Sequence, residues 1–241
     1  MKESNNKKLI IVLIIIIVLI IILSLLNNKK ENNNSNNPII SNYLTNLTNQ
    51  DITINIDKCD IDNALKNNKV PYFKLDNQLY KDINQDILTN FFLRACYQNG
   101  NIDYNVNINN NILSLVLTIS YEEADDANYF EFKTYNIDLE NNTKISNNNL
   151  LKKYNVNVDT ADNIFISKLN EYYEYEKNNS ETKITFSQFL QEIDYEKINL
   201  DNINLYLDEN NNLYFYKAYK FTQLMALDEN YPEIINKFKL N

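Results

Sequence analysis

Residues Leu9 to Leu26 read LIIVLIIIIVLIIILSLL, eighteen in a row with one hydroxyl, Ser24, and no charge. At about 1.5 Å of rise per residue the run spans roughly 27 Å as a helix, close to the thickness of a hydrocarbon core. A helix pairs every backbone N–H and C=O internally, as lipid requires. A helix buried in a soluble core normally keeps a polar stripe, and this run has none. The spacing therefore predicts one membrane-spanning helix over residues 9–26. Lys2, Lys7 and Lys8 precede it and Lys29 and Lys30 follow, a slight positive-inside bias. The layout is that of a signal-anchor: a cytoplasmic stub over 1–8 and a large C-terminal domain outside the membrane. A cleaved signal peptide is the alternative, but Ser24-Leu25-Leu26 offers no small-x-small cleavage site.

Everything after the anchor is organised by that placement. Residues 27–50 are nearly all Asn, Ser, Thr and Lys, with Pro38 among them, and lack the apolar content to pack. They are expected to form a disordered, Asn-rich tether, within which the apolar pair Ile39-Ile40 is the place where order can begin. Residues 51–241 are expected to form one extracytoplasmic α+β domain with an N-terminal half, 51–146, and a C-terminal half, 147–241. Hydrophobic residues make up 44% of the chain, enough to build a sizeable core there.

Three absences narrow the chemistry. Gly100 is the only glycine, which excludes glycine-rich phosphate loops and nucleophile elbows. Turns must instead use Asn and Asp, which tolerate left-handed backbone angles. Asparagine supplies about a fifth of the chain, so it is plentiful. There is no histidine, which removes the commonest general base and most zinc sites. No cofactor and no metal is expected. Cys59 and Cys96 are too far apart in sequence for a metal clip; outside the membrane they form a candidate disulfide, the alternative being that Cys96 is plain core.

Net charge is −9. The first 31 residues carry five lysines against two acids, which leaves residues 32–241 at −12. So acidic a domain is a poor partner for nucleic acid and a plausible one for a basic protein.

Ile52, Ile54 and Ile56 alternate with polar residues, the pattern of a half-buried strand. Val70 to Leu75 reads as a short extended piece that Pro71 confines to an edge. Asn77 is placed to cap a helix whose apolar stripe is Leu79, Tyr80, Ile83, Ile87, Phe91 and Ala95, ending at Asn99-Gly100. A meander follows: Ile102 to Ile108, a turn at Asn109-Asn110-Asn111, a more apolar central strand over Ile112 to Tyr121, and Tyr129 to Leu139. Residues 145–151 read as a connection. Asp159 or Thr160 caps a second long helix, and Ser187 to Ile193 forms a short third one. Asn204 to Leu207 and Leu213 to Tyr219 make a hairpin; the tail offers a helix from Pro232. The sum is α+β: one antiparallel sheet with two long helices on one face.

The order and wording of these elements resemble the ectodomain of RsiV-type anti-sigma factors and the non-catalytic domains of PdaC-type peptidoglycan deacetylases. The matching stretches are Val70-Pro-Tyr through Ile87, Asn111-Ile-Leu-Ser-Leu-Val116, Thr134-Tyr-Asn-Ile-Asp-Leu139, Lys144 to Leu151, and Asn204 to Asn210 with Leu213-Tyr-Phe-Tyr216. They lie within residues 52–225. The family's Gly-Gly-Ala-His loop is replaced here by Glu122-Glu-Ala-Asp-Asp-Ala-Asn128. The resemblance implies a sensing or binding part without its output, and a lysozyme-like protein or a cell-wall component as ligand.

Two clusters are candidates for partner binding. Glu122, Glu123, Asp125 and Asp126 form the densest acidic group, a solvated turn or a grip for a cation or a basic partner. Tyr172, Tyr173 and Tyr175 alternate with glutamates and make either a packed helix face or an aromatic interface edge. Paired carboxylates can hydrolyse a glycosidic bond, but no pair stands out. No catalytic residue is assigned and no enzymatic role is expected. The reading is a single-pass membrane protein of a bacterial cell envelope that presents a binding or sensing module to a basic extracellular protein or to peptidoglycan, with no nucleic-acid partner. A carboxylate-dependent wall hydrolase and a scaffold of a membrane complex are the alternatives.

Overall fold

The computed structural model describes residues 39–52, 59–122, 128–179, 184–217 and 237–241; for 122, 128, 129, 176 and 179 it describes the backbone alone. The apolar run 9–26, the Ile54–Ile56 alternation and the tail helix from Pro232 lie outside these residues. Among the described residues no helix is long and apolar enough to cross a membrane.

Order begins earlier than the composition of the tether implies. Ile40, Leu44 and Leu47 are buried in the core, so residues from 39 onward belong to the domain. Three spaced apolar side chains suffice to seat an otherwise polar segment. Strand β1 (Leu44–Asn46) pairs antiparallel with β2 (Pro71–Phe73), and Pro71 sits opposite Asn46 on this two-stranded ribbon. Between them lies α1 (Ile61–Asn67), capped by the Asp60 carboxylate, which accepts from Asn63 N at 3.1 Å.

The amphipathic stripe from Leu79 is helical. Helix α2 (Gln78–Asp86) starts at Asn77, whose side chain accepts from Tyr80 N. It runs without a break into a π segment (Ile87–Phe92) and then α3 (Leu93–Tyr97). In an α-helix each four-residue step drifts about 40° around the axis. The widened π turn, where Leu93 N bonds Leu88 O, keeps Ile87, Leu88, Phe91 and Phe92 all buried. Helix α3 ends in a Schellman motif: Asn99 takes φ 52° and Gly100 N donates to Ala95 O at 2.8 Å. The one glycine is needed for room, because a Cβ there would lie 2.8 Å from the Tyr121 ring.

The meander is a four-stranded antiparallel sheet of β3 (Asn101–Asn109), β4 (Ile112–Glu122), β5 (Asn128–Asp138) and β6 (Thr143–Lys144), in that order. Asn110 and Asn111, both at positive φ, make the tight turn between β3 and β4. Odd-numbered residues of β4, from Leu113 to Tyr121, face the α2–α3 helix and form the first core with Tyr80, Ile83 and Phe92.

Residues 145–151, read from sequence as a connection, contain helix α4 (Asn147–Lys153), capped by Ser146. Short helices with a mixed polar face lack the period that reveals longer ones. Helix α5 (Val158–Asn179) starts earlier than Asp159 or Thr160: Asn157 is the capping side chain and accepts from Thr160 N at 2.8 Å. Helix α6 (Phe186–Glu192) follows, with Thr185 and Gln188 in a capping box. The last sheet is β7 (Asn204–Leu207), β8 (Leu213–Tyr216) and β9 (Lys237–Lys239), all antiparallel. Phe165, Leu169 and Tyr172 of α5 pack on Leu205, Leu207, Leu213, Phe215 and Phe238 to form the second core.

The fold is α+β and antiparallel throughout its described strands. It differs from the single sheet with two helices on one face. There are two larger sheets, each covered by its own long helix. The sheets meet through an apolar cluster, Val116 and Phe132 on Tyr206 and Tyr216, and through buried polar groups. Ile112, Ser114 and Val116 of β4 and Phe132 and Asn136 of β5 face the second sheet. There Ser114 Oγ donates to Asn136 Oδ1 at 2.7 Å and accepts from Leu207 N at 2.9 Å, while Asn136 Nδ2 donates to Leu205 O at 2.8 Å. The open edge of β7 is thereby satisfied by two buried side chains of the other sheet.

Candidate functional site

The residues singled out from sequence fare unequally. Glu123, Asp125 and Asp126 lie outside the described residues, and Glu122 contributes its backbone to the end of β4. The tyrosine group is split by helical geometry. Tyr172 is 1% and Tyr173 5% exposed, both packed on Phe189, and Tyr173 Oη donates to Ile184 O at 2.8 Å. Tyr175, 41% exposed, is the one of the three that reaches the surface. A three-tyrosine interface edge does not exist here: residues 172 and 173 fall on the face that closes the second core. Arg94 forms an ion pair with Glu131 on β5. Among the described residues no group of three His, Cys, Asp or Glu converges to hold a metal.

Cys59 and Cys96 are bonded, with Cα atoms 5.8 Å apart. The bond joins the chain just before α1 to the last turn of α3. By doing so it builds a wall of a cleft of about 300 Å³ that sequence reading did not flag. Asp60, Asn63 and Asn67 line one side of this cleft; Tyr97, Asn99 and Asn101 line the other. Its backbone is well fixed. Asn68 Nδ2 donates to Ala64 O at 2.8 Å, and Asn68 Oδ1 accepts from Ile102 N, which ties α1 to β3. Asn67 Nδ2 donates to Asn63 Oδ1 at 3.2 Å. Tyr97 stands at the rim, 52% exposed.

A second cleft of about 290 Å³ adjoins the first and shares Asn67 and Asn101 with it. It continues over the sheet past Lys69, Asp103, Thr118 and Ser120. Lys69 and Asp103 form a loose ion pair at 3.9 Å, both well exposed. Together the clefts make a groove lined by amides, hydroxyls and one exposed aromatic ring. Carboxamides offer both donors and acceptors, and so match hydroxyl-bearing ligands. The first cleft holds a single carboxylate, Asp60, and the second a single one, Asp103. Glycoside hydrolysis uses two carboxyl groups flanking one bond. The joined groove holds two carboxylates, one in each cleft.

The signal for this groove was faint in the sequence because asparagine is everywhere. What singles out Asn63, Asn67, Asn99 and Asn101 is adjacency in space, and the pairing of Cys59 with Cys96 was the one clue to it. No family model matches the chain, and no curated protein matches it.

Proposed function

We propose that the chain is a membrane-anchored, extracytoplasmic binding module whose groove takes a glycan strand of the cell envelope. The groove is the observation that carries this reading. It is rich in amides and hydroxyls, its charged groups are Asp60, Lys69 and Asp103, and it has an aromatic ring at one rim for a sugar face to stack on. Two features support the placement. The apolar run over residues 9–26 is long enough to span a bilayer. The Cys59–Cys96 bond is of a kind that persists in oxidising compartments outside the cytosol.

The test is a titration of the full chain, in detergent micelles, with soluble peptidoglycan glycan fragments. Saturable binding is expected, weakened about tenfold by Asn101→Ala and by Tyr97→Ala, the loss of one hydrogen-bonding group or one stacking ring. Absence of binding would remove the glycan. Retention of lysozyme by the same protein at moderate salt would then shift the reading to a basic protein partner, which the acidic charge of the domain favours.

A further inference from the structure

Strand β5 is paired on both sides over only part of its length. Strand β6 covers Ile137 and Asp138, and Ile145 N bonds Asn136 O at 2.8 Å. That bond fixes the parity of the strand. Even-numbered residues of β5 turn their N–H and C=O away from β4. Phe130, Phe132 and Thr134 therefore present a row of outward backbone donors and acceptors, and no described residue pairs with them. The lane beside Thr134, in line with β6, opens into a cleft of about 330 Å³ between Lys133, Lys144, Ser146 and Asn204.

We propose that a second copy of this chain adds residues 130–134 of its own β5 to this edge, antiparallel, about a twofold axis at Phe132. Its residues 128 and 129 turn out of the sheet, since Ile145 already holds the place beside Asn136. In that register Phe132 exchanges both backbone bonds with Phe132 of the second copy. Phe130 does so with Thr134, and Thr134 with Phe130. The side chains agree with the backbone. On one face Glu131 comes directly opposite Lys133 of the second copy, and Lys133 opposite its Glu131, so two ion pairs form from one sequence. Glu131 already meets Arg94 of its own helix, which holds the carboxylate in place for the incoming ammonium. On the other face the stacked Phe130–Phe132 pair, 6.4 Å between centroids, continues into Phe132 of the second copy. The alternatives allowed by the parity are poorer. Centring on Phe130 or Thr134 puts no acid opposite Lys133. Charges on an edge strand ordinarily discourage pairing. Here their spacing makes the edge complementary to itself, as a twofold interface requires. The inference stands whether or not the groove binds a glycan.

The test is sedimentation of the full chain in detergent, with two charge reversals. The wild type is expected to dimerise. Lys133→Glu places acid against acid and is expected to weaken self-association by about tenfold or more, and Glu131→Lys to do the same with lysines. An equimolar mixture of the two variants restores both ion pairs and is expected to recover the dimer. Because Glu131→Lys also strips Arg94 of its partner, a second measurement reads proximity directly. It uses a Phe132→Cys chain first shown to keep the wild-type circular dichroism, since Phe132 also packs on Tyr216 at 5.2 Å. This chain is treated with a short bismaleimide, the native cysteines being bonded to each other. Crosslinked dimer is expected at position 132 and none for Glu140→Cys on the neighbouring turn. Monomer at about 100 µM, equal self-association of Lys133→Glu and the wild type, or no crosslink at 132 would each overturn the proposal. A dimer held by the apolar run alone would show the last two.

Discussion

Asparagine does in this chain what glycine does in most. Asn99, Asn110, Asn111, Asn142, Asn155, Asn211 and Asp194 all sit at positive φ, and Gly100 does not. Three of them end helices. Asn99 closes α3, Asn155 closes α4 with Val156 N bonded to Leu151 O, and Asp194 closes α6 with Tyr195 N bonded to Leu190 O. An L-residue with a Cβ and no local polar group pays roughly 1–2 kcal/mol for this conformation. Asn155→Ala is expected to cost about 1 kcal/mol in urea denaturation, and Asn155→Gly to be neutral or mildly stabilising. The use of Asn and Asp in turns was readable from the single glycine. Which of so many asparagines would be left-handed was not, because that depends on where helices and strands stop.

Tyrosines give the residue scale a pH dependence. Burial, with a bond to Asp86, holds the Tyr135 phenol far above its ordinary range; Tyr195 is raised by burial and by Asp162; Tyr206 and Tyr216 are raised chiefly by burial. A phenol whose folded value is raised contributes stability that is fully present below the unfolded value, about 10, and lost as pH rises past it. Denaturant midpoints are therefore expected to hold steady up to about pH 9 and fall steeply above 10. Tyrosinate absorbance should lag behind that of free tyrosine until the fold is lost.

At the scale of elements, the joint between sheets is the vulnerable part. Ser114 and Asn136 together satisfy two backbone groups on the β7 edge inside a buried space. Ser114→Ala leaves the Leu207 N–H and the Asn136 carbonyl without partners and is expected to cost about 3 kcal/mol. Asn136→Ala should cost a similar amount, and the double variant less than the sum, because the two residues form one network. Thermal or urea unfolding of the four proteins measures this. The joint also shows why the sheet arrangement was hidden. The long helix at Leu79–Ala95 and the alternation of β3 to β5 are periodic in apolar residues and were legible. Ser114 and Asn136 look like ordinary outward-facing polar positions and mask the signal that Val116 and Phe132 give on the same face, where the second sheet packs. The π segment was equally silent, since its apolar spacing also suits an α-helix.

For the whole molecule the disulfide is the long-range clasp. It closes a loop across a sequence separation of 37, for which chain entropy alone gives about 4 kcal/mol. Cys59→Ser with Cys96→Ser is expected to lower stability by up to that amount and to loosen the groove. Denaturation with and without reductant should move the wild type by the same margin and leave the double variant unmoved. The groove itself shows the limit of a linear reading: its two banks are about thirty or more residues apart in sequence, and the disulfide together with the bonds of Asn68 and Lys69 to Ile102 makes them neighbours.

The second sheet takes its third strand, β9, from Lys237–Lys239, with Phe238 stacked on Phe215 at 4.7 Å. Among the described residues the first core draws on nothing later than Leu139. During synthesis, then, the two halves are timed differently. A ribosome well past residue 150 has released every described side chain of the first core, whereas the second half waits with one wall missing until Phe238 emerges.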